Sequence, residues 1–377
     1  MGRNTAPLKQ FASYFHSIPS DSDYGAPPGQ RQSVAAAAPT SGNDSISGSV
    51  GDDSLAGLAG NDTINSGSGN DTLDGGLGSD MLIGGIGNDI YFVDDYNDVI
   101  TESGSGGIDT IVFMSGFYSW ESFMFYALPD NVENLIGGAG SSNFLVGNSL
   151  NNVITGNSSD DTIAGAGGVD TLQGGLGNDT YIIRGKNDVI IEGAGEGYDF
   201  VQTSLATYFM AANVERVYNF NTAGAKVTGN SADNFMVTSN GDDLLNGGSG
   251  QDFLFGSFGN DTLRGGSGAD DFFFNSDLNP DNVDVIIDFT LGVDHIALGR
   301  QVFGDPAGVS PGQLDPSQFK IIGPGGSAVD GNDRILYNQS TGNLYVDFDG
   351  SGAGLRILFA TLSGTPALTA ADIEFWS

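Results

Sequence analysis

The chain has 377 residues, with 60 Gly, no Cys, and 47 Asp plus Glu against 12 Lys plus Arg, for a formal net charge of -35. That balance excludes nucleic acid and anionic membrane surfaces as partners, since both are held by clustered basic side chains. The lack of Cys excludes disulfides and thiolate metal sites, and no segment approaches the run of apolar residues that a transmembrane helix needs.

Residues 1–40 carry a few basic side chains and turn Pro-, Ser-, Gly- and Ala-rich from Pro19 to Thr40, which predicts a flexible tail. They hold no apolar core before a small-residue cleavage site, so no secretory signal peptide is expected. From Asp44 an Asp recurs every nine residues, at Asp53, Asp62, Asp71, Asp80 and Asp89. Two residues after each stands an apolar side chain: Ile46, Leu55, Ile64, Leu73, Leu82 and Tyr91. Two residues before each stands Gly42, Gly51, Gly60, Gly69, Gly78 or Gly87. This first block spans 41–93. The register returns in 136–183 at Asp161, Asp170 and Asp179, and in 226–274 at Asp243, Asp252, Asp261 and Asp270. Asn143, Asn152 and Asn234 hold the Asp place on early rungs, and Ser66 and Thr238 replace a first Gly.

A fixed phase between Asp, Gly and the apolar residue is more than solvation requires. Gly admits positive φ and close backbone approach, so the turn can aim carbonyl oxygens inward, and Asp adds an anionic oxygen. Ca²⁺ takes six to eight such oxygens at roughly 2.3–2.6 Å and tolerates irregular geometry, whereas Mg²⁺ keeps its waters and demands an octahedron. The last three residues of each repeat predict a short strand with one inward side chain. Two repeats then make a coil, and stacked coils bury an apolar column.

Gly75-Gly76-Leu77-Gly78-Ser79-Asp80-Met81-Leu82-Ile83 fits G-G-x-G-x-D-x-U-x at every fixed position. Over residues 41–377 the chain resembles the RTX, or haemolysin-type, calcium-binding repeat proteins. The resemblance implies an all-β fold of right-handed parallel β-roll (β-solenoid) blocks with multiple Ca²⁺ between turns. It also implies export through a type I secretion exporter to a bacterial extracellular or cell-surface location. By the family pattern, carbonyls of the first and third motif positions join the Asp. Gly48 and Val50 then go with Asp53, Gly57 and Ala59 with Asp62, Gly75 and Leu77 with Asp80, and Gly84 and Ile86 with Asp89. In the second block Gly165 and Gly167 go with Asp170, and Gly174 and Leu176 with Asp179. In the third, Gly247 and Ser249 go with Asp252, Gly256 and Phe258 with Asp261, and Gly265 and Ser267 with Asp270. The Asn rungs keep the geometry and lose the charge, which predicts weak or metal-free coils.

The connectors, 94–135 and 184–225, echo one another. Asn97-Asp98-Val99-Ile100 with Glu102 and Asp109 matches Asn187-Asp188-Val189-Ile190 with Glu192 and Asp199, and Asn131-Val132-Glu133 matches Asn213-Val214-Glu215. Their alternating apolar residues predict strands that continue the stack. Calcium binding and plain turn hydrogen bonding both remain open for their acids. The first connector adds Phe113, Phe117, Tyr118, Trp120 and Phe123, read either as a lid packed on the roll or as an exposed aromatic patch. Residues 275–377 become ordinary β sequence, with a strand from Asp284 to Phe289 and a hairpin joining Ile335–Tyr337 to Leu344–Val346. Asp347-Phe348-Asp349-Gly350-Ser351-Gly352 resembles a D-x-D-G-x-G calcium loop, and Asp372 to Trp376 resembles the family's terminal export signal.

Catalytic constellations are scarce. The two His residues are His16 and His295, and no H-E-x-x-H occurs. The G-x-S-x-G match, Gly308 to Gly312, places Pro311 after Ser310, where an oxyanion hole needs an N–H. Ice binding would need a Thr ladder, but the corresponding positions hold Val50, Ala59, Ser68, Leu77 and Ile86. No catalytic residue is assigned. The expected role is an extracellular structural, assembly or adhesion scaffold, with self-assembly or a cell-surface polysaccharide as the contact. The alternative is a secreted enzyme or effector, a polysaccharide-acting or other hydrolase, that uses the rolls for folding and export.

Overall fold

A computed structural model describes residues 39–114, 124–303, 312–323, 326, 331–349 and 356–376. The chain winds as a parallel β-solenoid whose strands alternate between two faces. One face begins with Ser45–Ser47, Thr63–Ser68, Met81–Ile86 and Val99–Thr101, and continues as a sheet running from Met124–Ala127 to His295–Gly299. The other begins with Ser54–Ala56, Thr72–Asp74 and Ile90–Val93, runs to Val189–Ile190, and resumes from Thr207–Phe209. Strands of two to six residues suffice because each needs to present only one inward side chain.

The register is in phase. Leu55 pairs with Leu73, and Leu73 with Tyr91, so identical motif positions stack coil on coil. Every apolar residue predicted from the nonapeptide lies buried, and Ile64, Leu73, Leu82, Ile163, Leu172, Leu254 and Leu263 are fully so. At roughly 25 cal/mol per Å² of apolar area, this column is the main non-ionic source of stability. The connectors continue it: Thr110–Phe113 pairs with Ile90–Val93 below and Asn134–Ile136 above.

Gly carries the turns. Gly76 and Gly78 sit at φ of +80° and +142°, and an added Cβ would run into Leu58 and Gly60 backbone oxygens one coil earlier. Coils this close leave no room for side chains there.

At the far end the parallel face passes from Asp284–Ile286 to Ile357–Leu362, and then turns antiparallel through Asn343–Val346 and Ile335–Asn338. The last two strands are the expected hairpin. At the edge of this sheet Phe319–Ile322 pairs in parallel with Ile335–Asn338. The final strand, Ile373–Trp376, pairs with His295–Gly299. Phe113 is buried and packs on Tyr126 with ring centroids 4.9 Å apart. Phe117, Tyr118, Trp120 and Phe123 lie outside the described residues, as do His16, Ser310 and Gly350 to Gly352. Among the described residues no helix is long and apolar enough to cross a membrane.

Candidate metal centres

The repeat Asp residues form two ladders, one along each side of the stack. Along one, the Asp53 N–H donates to Asp71 Oδ1 at 2.8 Å, Asp71 N–H to Asp89 Oδ1 at 2.7 Å, and Asp89 N–H to Asp109 Oδ1 at 2.8 Å. Along the other, Asp44 N–H donates to Asp62, Asp62 to Asp80, and Asp80 to Asp98. The later blocks repeat the pattern: Asp161 to Asp179 to Asp199, Asp170 to Asp188, Asp243 to Asp261 to Asp284, and Asp252 to Asp270 to Asp294. One carboxylate oxygen therefore satisfies the backbone of the preceding coil.

The other oxygen has nothing. Oδ2 of Asp62, Asp71, Asp80, Asp89, Asp170, Asp179, Asp243, Asp252, Asp261 and Asp270 is buried with no hydrogen-bond partner. Eight of the ten face a cradle that only Gly leaves open; Asp71 and Asp243 have Ser66 and Thr238 in that place. A Cβ at Gly57, Gly75, Gly84, Gly165, Gly174, Gly247, Gly256 or Gly265 would overlap the Oδ2 of Asp62, Asp80, Asp89, Asp170, Asp179, Asp252, Asp261 or Asp270 respectively. First-position carbonyls of the next coil face two of these cradles, Gly75 O beside Gly57 and Gly265 O beside Gly247; Gly165 O and Gly174 O stand likewise beside Gly147 and Gly156, at the Asn152 and Asp161 rungs. Third-position side chains point outward, with Val50, Leu77, Ile86, Leu176 and Phe258 exposed. The carbonyls of Leu77, Ile86, Phe258 and Ser267 each accept an N–H from a Gly of the preceding coil, which leaves one lone pair on each. Ala59 bridges Leu77, and Ser249 accepts the Ser267 hydroxyl at 3.1 Å. The Gly167 N–H donates to Asn148 O, and Gly48 packs against the Asp53 carboxylate and Ser66 O.

Three predicted Asp residues are placed differently. Asp44, at the open end, has its Oδ2 taken by Thr40 N–H and Oγ1. Asp53 Oδ2 accepts from Ser49 N–H and Oγ. Asp161 Oδ2 accepts from Asn157 N–H.

Asp161 belongs to a set that the nonapeptide reading missed. Asn148, Asn157 and Asn230 each send Nδ2 to two carbonyls of the preceding coil: Pro129 and Val132, Gly138 and Ser141, Ala211 and Val214. Asn152 and Asn234 add further amide donors. An amide here supplies the donors that a cation would replace, so these coils close without metal. The signal was legible: Gly-Asn-Ser recurs at Gly147, Gly156 and Gly229. Ser66 and Thr238 stand in the first-Gly place of the Asp71 and Asp243 motifs, and their hydroxyls donate to Gly84 O and Gly256 O. Asn148→Ala is expected to lower the melting temperature in calcium while leaving the number of bound ions unchanged. Asp71→Ala is expected to lower both, and equilibrium dialysis with thermal melts separates the two.

No cation answers the orphaned carboxylates. The ion pairs of Arg264 with Asp288 and of His295 with Asp271 involve none of them. Burial pushes Asp71 and eight of its counterparts up, and neighbouring carboxylates add to the rise. Asp80, Asp89, Asp170, Asp243 and Asp270 reach about 6, Asp179 and Asp252 about 7, and Asp261 about 8. Buried anionic oxygens without donors, beside free carbonyls, are the ligand set of a hard cation. The oxygen-only chemistry fits Ca²⁺.

The family model for the RTX calcium-binding nonapeptide repeat matches residues 40–73, 57–91, 65–100, 146–181, 228–263 and 249–277. No curated protein matches the chain. The chain carries RTX calcium-binding nonapeptide repeats in all three of its blocks, and calcium is the ion these repeats bind.

Proposed function

We propose that the protein is an extracellular scaffold, exported through a type I secretion exporter and folded by calcium on arrival outside the cell. The observation that supports this reading best is how completely the solenoid and its cap account for the described residues. The buried carboxylates of the repeats are committed to ladders and cradles, and His295 sits at the surface against Asp271. In this reading 41–93, 136–183 and 226–274 are the calcium-dependent folding blocks, and the ten Asp residues with orphaned Oδ2 atoms are their ligands. The first- and third-position carbonyls complete each site.

A scaffold works through its outer surface. On the long sheet Phe200, Tyr218, Phe235, Phe253, Phe255 and Phe273 line an open groove of about 420 Å³. Arg216 lies over the Phe200 and Phe235 rings at 4.9 and 5.6 Å from their centroids. A row of rings with a guanidinium suits contact with another copy or with the apolar faces of a polysaccharide. Electron microscopy of the purified chain with calcium is expected to show lattices or filaments, and producing cells are expected to retain the protein until a chelator releases it. An inert, freely diffusing monomer in calcium would count against the proposal.

A further inference from the structure

The first two rolls each end on a carboxylate cluster of which the nonapeptide encodes one member, Asp89 or Asp179. Asp89, Glu102 and Asp109 bring one oxygen apiece within 4.8 Å of one another, and so do Asp179, Glu192 and Asp199. The two are built alike. Tyr91 donates its hydroxyl to Glu102 Oε1, and Tyr181 donates to Glu192 Oε1. Asn131 and Asn213, both in the left-handed region, fix the Glu backbones through Nδ2. Glu133 and Glu215 accept the N–H of Asp109 and Asp199, each at 2.8 Å.

Every Asp in the clusters uses Oδ1 for a backbone N–H and leaves Oδ2 buried without a partner, and Glu192 Oε2 is orphaned too. Asp89, Asp109, Asp179, Asp199 and Glu192 are all more than nine-tenths buried. The third block supplies an internal comparison. Its last repeat has Phe272 in the Tyr place, and among the described residues no three-carboxylate cluster forms there. Hydroxyl and Glu occur together or not at all.

We propose that Asp89, Glu102 and Asp109, and equally Asp179, Glu192 and Asp199, form a second class of calcium site that closes each roll onto its connector and fills before the nonapeptide cradles. The proposal rests on the reading that the chain folds around calcium. Three converging carboxylates without a counter-cation need a divalent ion, and affinity for Ca²⁺ rises with the number of charged ligands and with site rigidity. A nonapeptide cradle sets one orphaned carboxylate oxygen against backbone carbonyls. The coil also lengthens here, with ladder partners 20 residues apart instead of 18. An ion at this step ties an ordinary roll coil to the longer connector coil.

The test uses the full chain, Ca²⁺ itself, and Tb³⁺ as a luminescent probe that Tyr91 and Tyr181 can sensitise. Wild type is expected to show tyrosine-sensitised emission saturating at about tenfold lower metal than the β signal in circular dichroism, with Ca²⁺ displacing it. Glu102→Gln with Glu192→Gln is expected to abolish that early phase. At calcium high enough to restore its β signal, this variant should bind two fewer ions by equilibrium dialysis. Tyr91→Phe with Tyr181→Phe should keep the β signal and lose the emission. If the double Gln variant does not fold, Glu192→Gln alone reads the loss of one ion. A Gln variant that superimposes on wild type in both titrations overturns the junction sites while leaving calcium-driven folding intact. A wild type whose β signal ignores calcium overturns both.

Discussion

Chelating calcium at neutral pH is expected to convert the solenoid into disordered chain, a loss that far-ultraviolet circular dichroism reads directly. Two opposing terms fix the direction. The 60 Gly residues lose more backbone freedom on folding than any others, and the ladders bury carboxylates whose second oxygens lack partners. Calcium reverses the second term, and binding only the folded state stabilises by about 1.4 kcal/mol per site for each tenfold excess over its dissociation constant. With several sites per block, the transition should be steep in calcium.

The pH dependence carries a definite sign. Carboxyls such as those of Asp80, Asp179 and Asp261 titrate near 4 when unfolded and at about 6 to 8 when folded without metal, so the folded state binds more protons across that interval. The metal-free solenoid is therefore least disfavoured below about pH 4 and loses stability as pH rises through 6 to 8. In chelator, acidification from pH 8 toward 5 should restore part of the β signal. In calcium the proton competes for the same oxygens, so the calcium midpoint should rise as pH falls over that range. A β signal indifferent to chelator at pH 7.5 would falsify the account.

What the sequence made legible was whatever repeats at nine residues. The Asp, its apolar partner and the first Gly announce the coil, the core column and the cradle together. Less legible was what depends on the coil rather than the repeat. The ladder joins residues 18 apart, and Asp98 and Asp188 still keep that period; once the coil lengthens, its rungs continue on Asp109, Glu133, Asp199 and Glu215, whose spacing breaks it. The motif matches in the connectors exposed these acids without showing that they cap the coil below. Asn148, Asn157 and Asn230 escaped for another reason. They occupy the second motif position, where the pattern asks for Gly, and their work is visible only once two carbonyls of the coil below stand opposite each amide.

A pair of glycines in the first block separates the cradle from ordinary turn chemistry. Gly57 has no positive φ, so Ala there meets no intrinsic backbone strain. Its Cβ would nevertheless overlap Asp62 Oδ2 and lie 2.6 Å from Gly75 O. Those are two of the oxygens that the cradle gathers from successive coils, so Gly57→Ala must part them. The expected result is one fewer bound calcium and a loss of about 2–4 kcal/mol in calcium-saturated unfolding, from overpacking together with a buried carboxylate driven off its ion. Gly51 is exposed, with open space around its missing Cβ and no positive φ. Gly51→Ala should stay within about 0.5 kcal/mol of wild type, with a slight gain from the stiffer unfolded chain. Denaturant unfolding beside equilibrium dialysis decides between the accounts. Equal, small effects at both positions would mean that Gly57 serves only the turn. A large loss at Gly57 together with one missing ion places the carboxylate, and not backbone freedom, as the reason that position holds Gly.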